Sequence, residues 1–393
     1  MIPYATFTYF GVLLYAVVPA VLLGMLFRRI RVWILGASLL MILVQYSRGL
    51  VAWPPTLGRE FWLLCGYALF QLVLVSAFIR IRQRAKRRGV FIAALTLGLL
   101  PLVLAKAQPY LAPGSLWGFA GISYVTFRAL DVIIGIQDHT ITSAPPLELA
   151  AFLCFFPTLS SGPIDRFRRF AGDWERRRTR AAWLEDLDGA AHRIFTAFLY
   201  KFILAALIKR YWLDPAAAEH GLWATVSYMY AYSLYLFFDF AGYSLFAIGI
   251  SYLFGIRVPE NFNRPFLATN IQDFWNRWHI SLSTWLRDRV YRRFTLAALR
   301  GRWFKDDRTA SYLGFLLSFG LMGLWHGTRS FYLLYGLYHA TLMAAYELFS
   351  QWNRERRVWG EGLGWRVAGT VLTFHVVCFG FLLFSGRIGP DHA

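Results

Sequence analysis

Uninterrupted apolar runs of about 20 residues recur along this chain, and each is long enough to cross a hydrocarbon core of about 30 Å as a helix. YATFTYFGVLLYAVVPAVLLGMLF (4–27) and GVFIAALTLGLLPLVLAKAQ (89–108) set the type. Candidate spans fall at 4–27, 31–50, 60–79, 90–110, 115–137, 187–211, 221–256, 309–327, 329–350 and 366–385. The runs are continuous and do not alternate, which excludes a transmembrane β-barrel. The expected fold is therefore an all-α polytopic membrane protein with about 10–11 transmembrane helices. Residues Met1 to Phe27 have no basic start followed by a short apolar stretch and a small-residue cleavage site, so they read as a retained first span.

Charge gives the expected topology. The chain carries 41 Lys and Arg against 22 Asp and Glu, a net charge of +19. In a soluble protein that excess would suggest nucleic acid. Here it clusters between spans, at Arg28-Arg29-Ile30-Arg31, RIRQRAKRR (80–88), 165–180, 287–308 and RERR (354–357), whereas 51–59, 109–114 and 212–220 are not basic. The pattern reads as a positive-inside signal, with both termini outside, and as a surface for membrane lipids; no nucleic-acid partner is expected.

Two apolar segments break the alternation, 146–163 and 258–286. Both have expected cytoplasmic flanks, and both contain helix breakers: Pro157, Gly162 and Pro163 in the first, Pro259 and Pro265 in the second. They are expected to be re-entrant or interfacial, because non-helical backbone survives at membrane depth only beside protein or a watery cavity. Without an internal repeat or a soluble segment, residues 1–393 read as one membrane domain. Within it, 1–114 are N-terminal spans, 115–350 the motif-bearing region, and 351–393 a connector and last span.

The chemistry concentrates in FWNRWHISLSTWLRDRVYRRF (274–294). Read as one helix, Trp275, Trp278, Leu282, Trp285 and Leu286 share a face, and His279 lies on it. Asn276 and Ser283 are then placed one turn away on either side to orient the imidazole. The alternative is a belt helix whose indoles sit at the head-group level. His326 stands in GLWHGT, where Gly323 and Gly327 permit close approach of a backbone or a substrate. Histidine titrates near neutrality and serves as a general base; the plain alternative is a satisfied interfacial histidine.

Of the other histidines, His139, His220 and His392 read as solvated and His192 as interfacial. His339 and His375 lie within spans and are either site residues or neutral imidazoles bonded to a neighbouring helix. Asp239, in an apolar span, reads as a hydrogen-bond hub for nearby tyrosines. Cys65, Cys154 and Cys378 read as small buried hydrophobes, and no ligand set for a metal suggests itself.

Taken in order, GISYVTFRALDVIIGI (121–136), FFPTLSSGPIDRFRRF (155–170), the run 230–266 with PENFNRPF, NIQDFWNRWHISLSTWLRDRVY (270–291) and GLWHGT (323–328) resemble the membrane-bound O-acyltransferase (MBOAT) family. The resemblance covers most of the chain after residue 115 and favours the family's D-alanyl branch over its alginate O-acetyltransferase branch. It implies a ring of helices around a thinned central tunnel. It implies catalysis by His326 and His279, with Trp275, Trp278, Asn276, Ser283 and Trp325 positioning groups along the tunnel.

The implied donor is a D-alanyl thioester on the phosphopantetheine of an acidic cytosolic carrier protein, with no permanently bound cofactor and no metal. The carrier would dock at Arg292, Arg293, Leu296 and Leu299, and a small membrane protein could relay the group. The implied acceptor is a hydroxyl of an envelope polymer, as in teichoic-acid D-alanylation, at the plasma membrane of a bacterium. A transporter of envelope precursors and a scaffold are the readings from other classes.

Overall fold

A computed structural model describes residues 2–26, 30–48, 56–84, 87–111, 118–176 and 178–388. Arg28 and Arg29, parts of the connectors 51–59 and 109–114, Ala85, Lys86 and Arg177 of the basic stretches, and His392 lie outside them. Apart from a two-residue ladder pairing Ser47–Arg48 with Thr56–Leu57 and a single bridge between Phe262 and Trp278, the regular structure of the described residues is helical.

The chain packs as two compact units, Met1–Ala197 with Tyr243–Pro259, and Phe198–Gly242 with Glu260–Ala393. In the first unit, α1 (Phe7–Met25), α2 (Arg31–Tyr46), α3 (Arg59–Arg84), α4 (Arg88–Leu111) and α5 (Ile122–Gln137) follow the expected spans. Thr6 caps α1 by accepting from the Tyr9 N–H. Polar residues inside these spans bond across helices, as apolar surroundings require. Gln71 of α3 donates to the Gly98 carbonyl of α4 at 2.8 Å, and Tyr67 meets Thr126 of α5 at 2.7 Å.

The expected re-entrant segment is α6 (Pro146–Leu153), a short 3₁₀ turn at Phe156–Thr158, a further turn over 159–161 and then irregular chain through Pro163. Arg128 of α5 is 1% exposed and closes the end of α6, donating to the Phe152 and Leu153 carbonyls at 2.9 and 3.0 Å and to Thr158. After α7 (Phe167–Glu175), an ion-pair cluster ties the connectors together. Arg169 joins Asp165 and Asp173, and Arg257 reaches Asp186 at 2.6 Å. Its bond to Asp186 raises the Arg257 guanidinium above the usual arginine range.

A helical rod runs from α8 (Arg180–Phe198) through a π turn, α9 (Ala205–Ile208), a second π turn and α10 (Asp214–Ala218). The long α11 (Leu222–Leu253) gives Leu222–Gly242 to the second unit. There Lys201 pairs with Asp239 at 2.5 Å, so the carboxylate answers a lysine and not the tyrosines expected from the sequence. The second unit continues with α12 (Ile271–Trp275), α13 (Ile280–Leu286), a π turn, α14 (Arg292–Gly301), α15 (Asp307–His326), α16 (Ser330–Arg356) and α17 (Leu363–Ser385).

Each of the ten expected spans holds a helix among the described residues, although α2 ends at Tyr46 within 31–50 and α5 begins only at Ile122 within 115–137. Six helical stretches among the described residues are long and apolar enough to cross a membrane: α1, α3, α4, the rod Arg180–Ala218, α11 and α17. α4 shows how such a helix meets lipid, with Leu97, Leu100 and Val103 left 44–50% exposed on its surface. α2 and α5 have only 16 residues, and α15 and α16 are long enough but carry serine, tyrosine, glycine and histidine along their length.

Candidate active site

The stretch 274–294 is not one helix. α12 stops at Trp275, a turn follows, and α13 starts only after His279, which holds φ 43° and ψ 50°. The left-handed region is sparsely used by side chains larger than glycine, and occupying it costs on the order of 1–3 kcal/mol. The cause of the break is the chain 261–263, which takes the backbone groups a continuous helix would have used. The Asn263 N–H donates to the Arg277 carbonyl, and the Ile280 N–H donates to the Asn261 carbonyl, both at 2.9 Å. The Asn261 side-chain oxygen accepts from the Ser281 N–H at 3.3 Å and from its hydroxyl at 2.8 Å. Bonds of this kind contribute about 0.5–1.5 kcal/mol each, enough together to offset the strain. The helical periodicity nevertheless names the buried residues: Trp275, Trp278, Leu282, Trp285 and Leu286 are all 8% exposed or less.

The imidazole of His279 is 3% exposed. Phe240 meets it edge-on at 4.8 Å between ring centroids, and Trp325 lies at 6.0 Å. Its Nε2 has no hydrogen-bond partner among the described residues. Asn276 and Ser283 do not hold the ring as expected. Asn276 accepts from Arg287 at 3.2 Å, and the Ser283 hydroxyl donates to the Trp278 carbonyl at 3.1 Å. Because the helix breaks at His279, the one-turn spacing no longer places them against the ring; they brace the turn instead.

His326 ends α15, and the close hairpin of α15 with α16 sets its position. A Cβ on Gly323 would run into the Tyr332 carbonyl, and one on Gly336 into the Phe319 carbonyl. The two glycines thus let the backbones touch on both sides, as the motif suggested. Gly327 clears the Tyr332 ring in the same way. The His326 ring is half-buried, packed on Trp325 at 4.6 Å and edge-on to Phe384 at 4.8 Å. Trp325 is therefore in contact with His326 and within ring-packing reach of His279, and the two imidazoles lie within electrostatic reach of each other.

A cavity of about 560 Å³ opens in the same unit. Trp275, Phe315, Phe319 and Met322 give it apolar walls, and Arg287, Arg292, Arg354 and Glu347 add charge. Asn276 and Ser283 also line it, so it reaches the turn that carries His279. Of the expected dock, Arg292 lines the cavity and pairs with Asp288 at 3.4 Å. Leu296 and Leu299 stand 50% and 41% exposed on α14, with Arg293 on the same helix. His339 is fully buried between Trp275 and Tyr335, with ring centroids at 5.0 and 4.6 Å, and His375 bonds the Val371 carbonyl of its own helix at 2.7 Å.

The sequence reading missed Asn261, Asn263 and Ser281. Their signal was PENFNRPF itself, two asparagines between prolines in a segment that cannot continue a helix.

A helical membrane protein with two histidines gathered on one indole, and a cavity in the same unit that reaches the turn before one of them, is the class that fold and site define. Residues 63–379 match the MBOAT, membrane-bound O-acyltransferase, family, and the chain belongs to it; it is an acyltransferase. It is 40% identical over 406 residues to the teichoic acid D-alanyltransferase of Bacillus subtilis (strain 168), covering 100% of this chain and 99% of that protein. With the teichoic acid D-alanyltransferase of Lacticaseibacillus rhamnosus it shares 38% identity over 404 residues, 98% of this chain and 97% of that protein. Similarity to the probable alginate O-acetylase AlgI of Pseudomonas syringae pv. tomato is 32% over 303 residues, 75% of this chain and 52% of that protein.

Proposed function

We propose that this chain moves D-alanyl groups onto teichoic acid, using His326 as general base and His279 as its partner in the site. The observation that carries the reading is the pairing of the two histidines around Trp325. The half-buried His326 is open to an incoming hydroxyl, whereas His279 is closed off. End-to-end similarity to D-alanyltransferases, against partial coverage of the alginate O-acetylase, favours D-alanine over acetate.

In this mechanism the donor is a D-alanyl thioester on the phosphopantetheine arm of an acidic cytosolic carrier protein. The carrier docks on α14 through Arg292, Arg293, Leu296 and Leu299, where cations and exposed leucines adjoin. The arm enters the cavity along Trp275, with Asn276 and Ser283 beside it. Trp278 backs the turn. His326 takes the proton of the attacking hydroxyl as the oxygen bonds to the thioester carbonyl carbon. The tetrahedral intermediate collapses, the C–S bond breaks, and the thiolate takes up the proton. The acceptor is then a D-alanyl ester and the arm a free thiol. A small membrane protein that relays the group fits the same chemistry as a two-step transfer. The basic connectors face the cytoplasm in this reading, and both termini lie outside, in one membrane domain of a bacterial plasma membrane.

Reconstitution tests it. Purified protein in liposomes, given D-alanyl-loaded carrier, should form D-alanyl esters on teichoic acid. Transfer from an acetyl donor alone would assign the chain to polysaccharide O-acetylation, and movement of a precursor without ester formation would make it a transporter.

A further inference from the structure

The site contains a polar residue outside the cavity lining that nevertheless governs both sides of a catalytic candidate. Asn261 is fully buried. Its main-chain carbonyl takes the Ile280 N–H, its side-chain oxygen takes both the N–H and the hydroxyl of Ser281, and its near neighbour Asn263 takes the Arg277 carbonyl. Phe262, between the two asparagines, forms a β-bridge with Trp278, one residue before His279. The 261–263 chain thus grips residues 277, 278, 280 and 281 and leaves out only 279.

His279 is left in the left-handed conformation, its ring buried against Phe240 and its Nε2 unengaged by the described residues. Relaxing that backbone to the helical region would carry the imidazole away from Trp325, since a change in φ and ψ at a residue redirects its own Cβ. Strained conformations persist only where their surroundings over-determine them, and they gather at functional sites.

We infer that Asn261 is a positioning residue for acyl transfer: through Ile280 and Ser281 it locks the strained turn that aims His279 toward Trp325. The inference rests on the reading that His279 works in the site. Asn261 therefore acts on the chemical step and not on donor binding. Its neighbours in the clamp share the role in proportion to the bonds they make, so Ser281, whose hydroxyl makes one of them, has the smaller part.

The test measures kcat and KM for the acyl donor in reconstituted full-length protein, for Asn261→Leu, Asn261→Asp, Ser281→Ala and, in parallel, His279→Ala. Asn261→Leu keeps the branch at Cγ, adds some bulk and loses the side-chain acceptor, and a displacement of about 1 Å is enough to lower kcat about a hundredfold. KM should stay within about twofold, because remote binding is untouched. Asn261→Asp keeps the acceptor oxygen and should recover at least about tenfold of that loss. Ser281→Ala, which removes a single hydroxyl, should fold and lose about threefold in kcat with KM unchanged.

Wild-type kcat in both Asn261→Leu and Ser281→Ala, beside an inactive His279→Ala, would overturn the inference and leave the reading of His279 intact. Wild-type kcat in His279→Ala would overturn both. Should Asn261→Leu fail to fold, Ser281→Ala decides: an unchanged kcat, or a fall in kcat matched by a rise in KM, counts against a positioning role.

Discussion

Arg128 and His279 are buried polar residues with opposite fates. The terminal nitrogens of Arg128 donate to the carbonyls that close α6 and to the Thr158 hydroxyl, so its charge serves the frame. Arg128→Met is expected to leave those carbonyls unsatisfied and to lower stability by about 1–3 kcal/mol, read from thermal unfolding in detergent. Unchanged stability would mean that the carbonyls find other donors. His279, by contrast, keeps Nε2 free of protein partners among the described residues. The first stands inside the expected span 115–137, but its bonds were not legible there, because carbonyl acceptors leave no trace in side-chain identity. The burial of the second was legible from the spacing of Trp275, Trp278 and Leu282. Its backbone conformation was not, since the residues that impose it stand 16 to 18 positions upstream in Asn261–Asn263.

Elements were legible to the extent that their own residues dictate them. Long apolar runs gave helices close to the expected bounds, α4 at 88–111 for 90–110 and α15 at 307–326 for 309–327. The stretch 274–294 differed because a competing strand-like partner outbid local helix bonds there, a contest invisible to periodicity. The hairpin of α15 and α16 was foreshadowed by Gly323, and it yields a sharp expectation. Gly323→Ala would drive a methyl into the Tyr332 carbonyl. The backbones must part, at a cost of about 1–3 kcal/mol for such overpacking. Thermal unfolding should show the loss, and transfer should fall further than the residual fold explains because His326 rides on the displaced helix. A variant with normal stability and activity would mean that α15 and α16 can separate freely.

For the whole molecule, the 41 Lys and Arg divide: some pair with acids, as in Arg169–Asp173 and Arg257–Asp186, and others cluster on α14, within the excess that leaves a net charge of +19. If α14 receives an acidic carrier, Arg292→Glu with Arg293→Glu should weaken carrier binding about tenfold at low salt, with the difference shrinking as salt rises. Equal affinity at low salt would place the dock elsewhere. The central claim is ester transfer through His326, and its most direct measurement is the D-alanyl ester content of teichoic acid in a bacterium lacking its own D-alanyltransferase. Wild-type chain should restore the esters. His326→Ala, present in the membrane at the same level and folded, should leave about 1% of them or less, the loss expected when a general base is removed. Full ester content with His326→Ala would contradict the account.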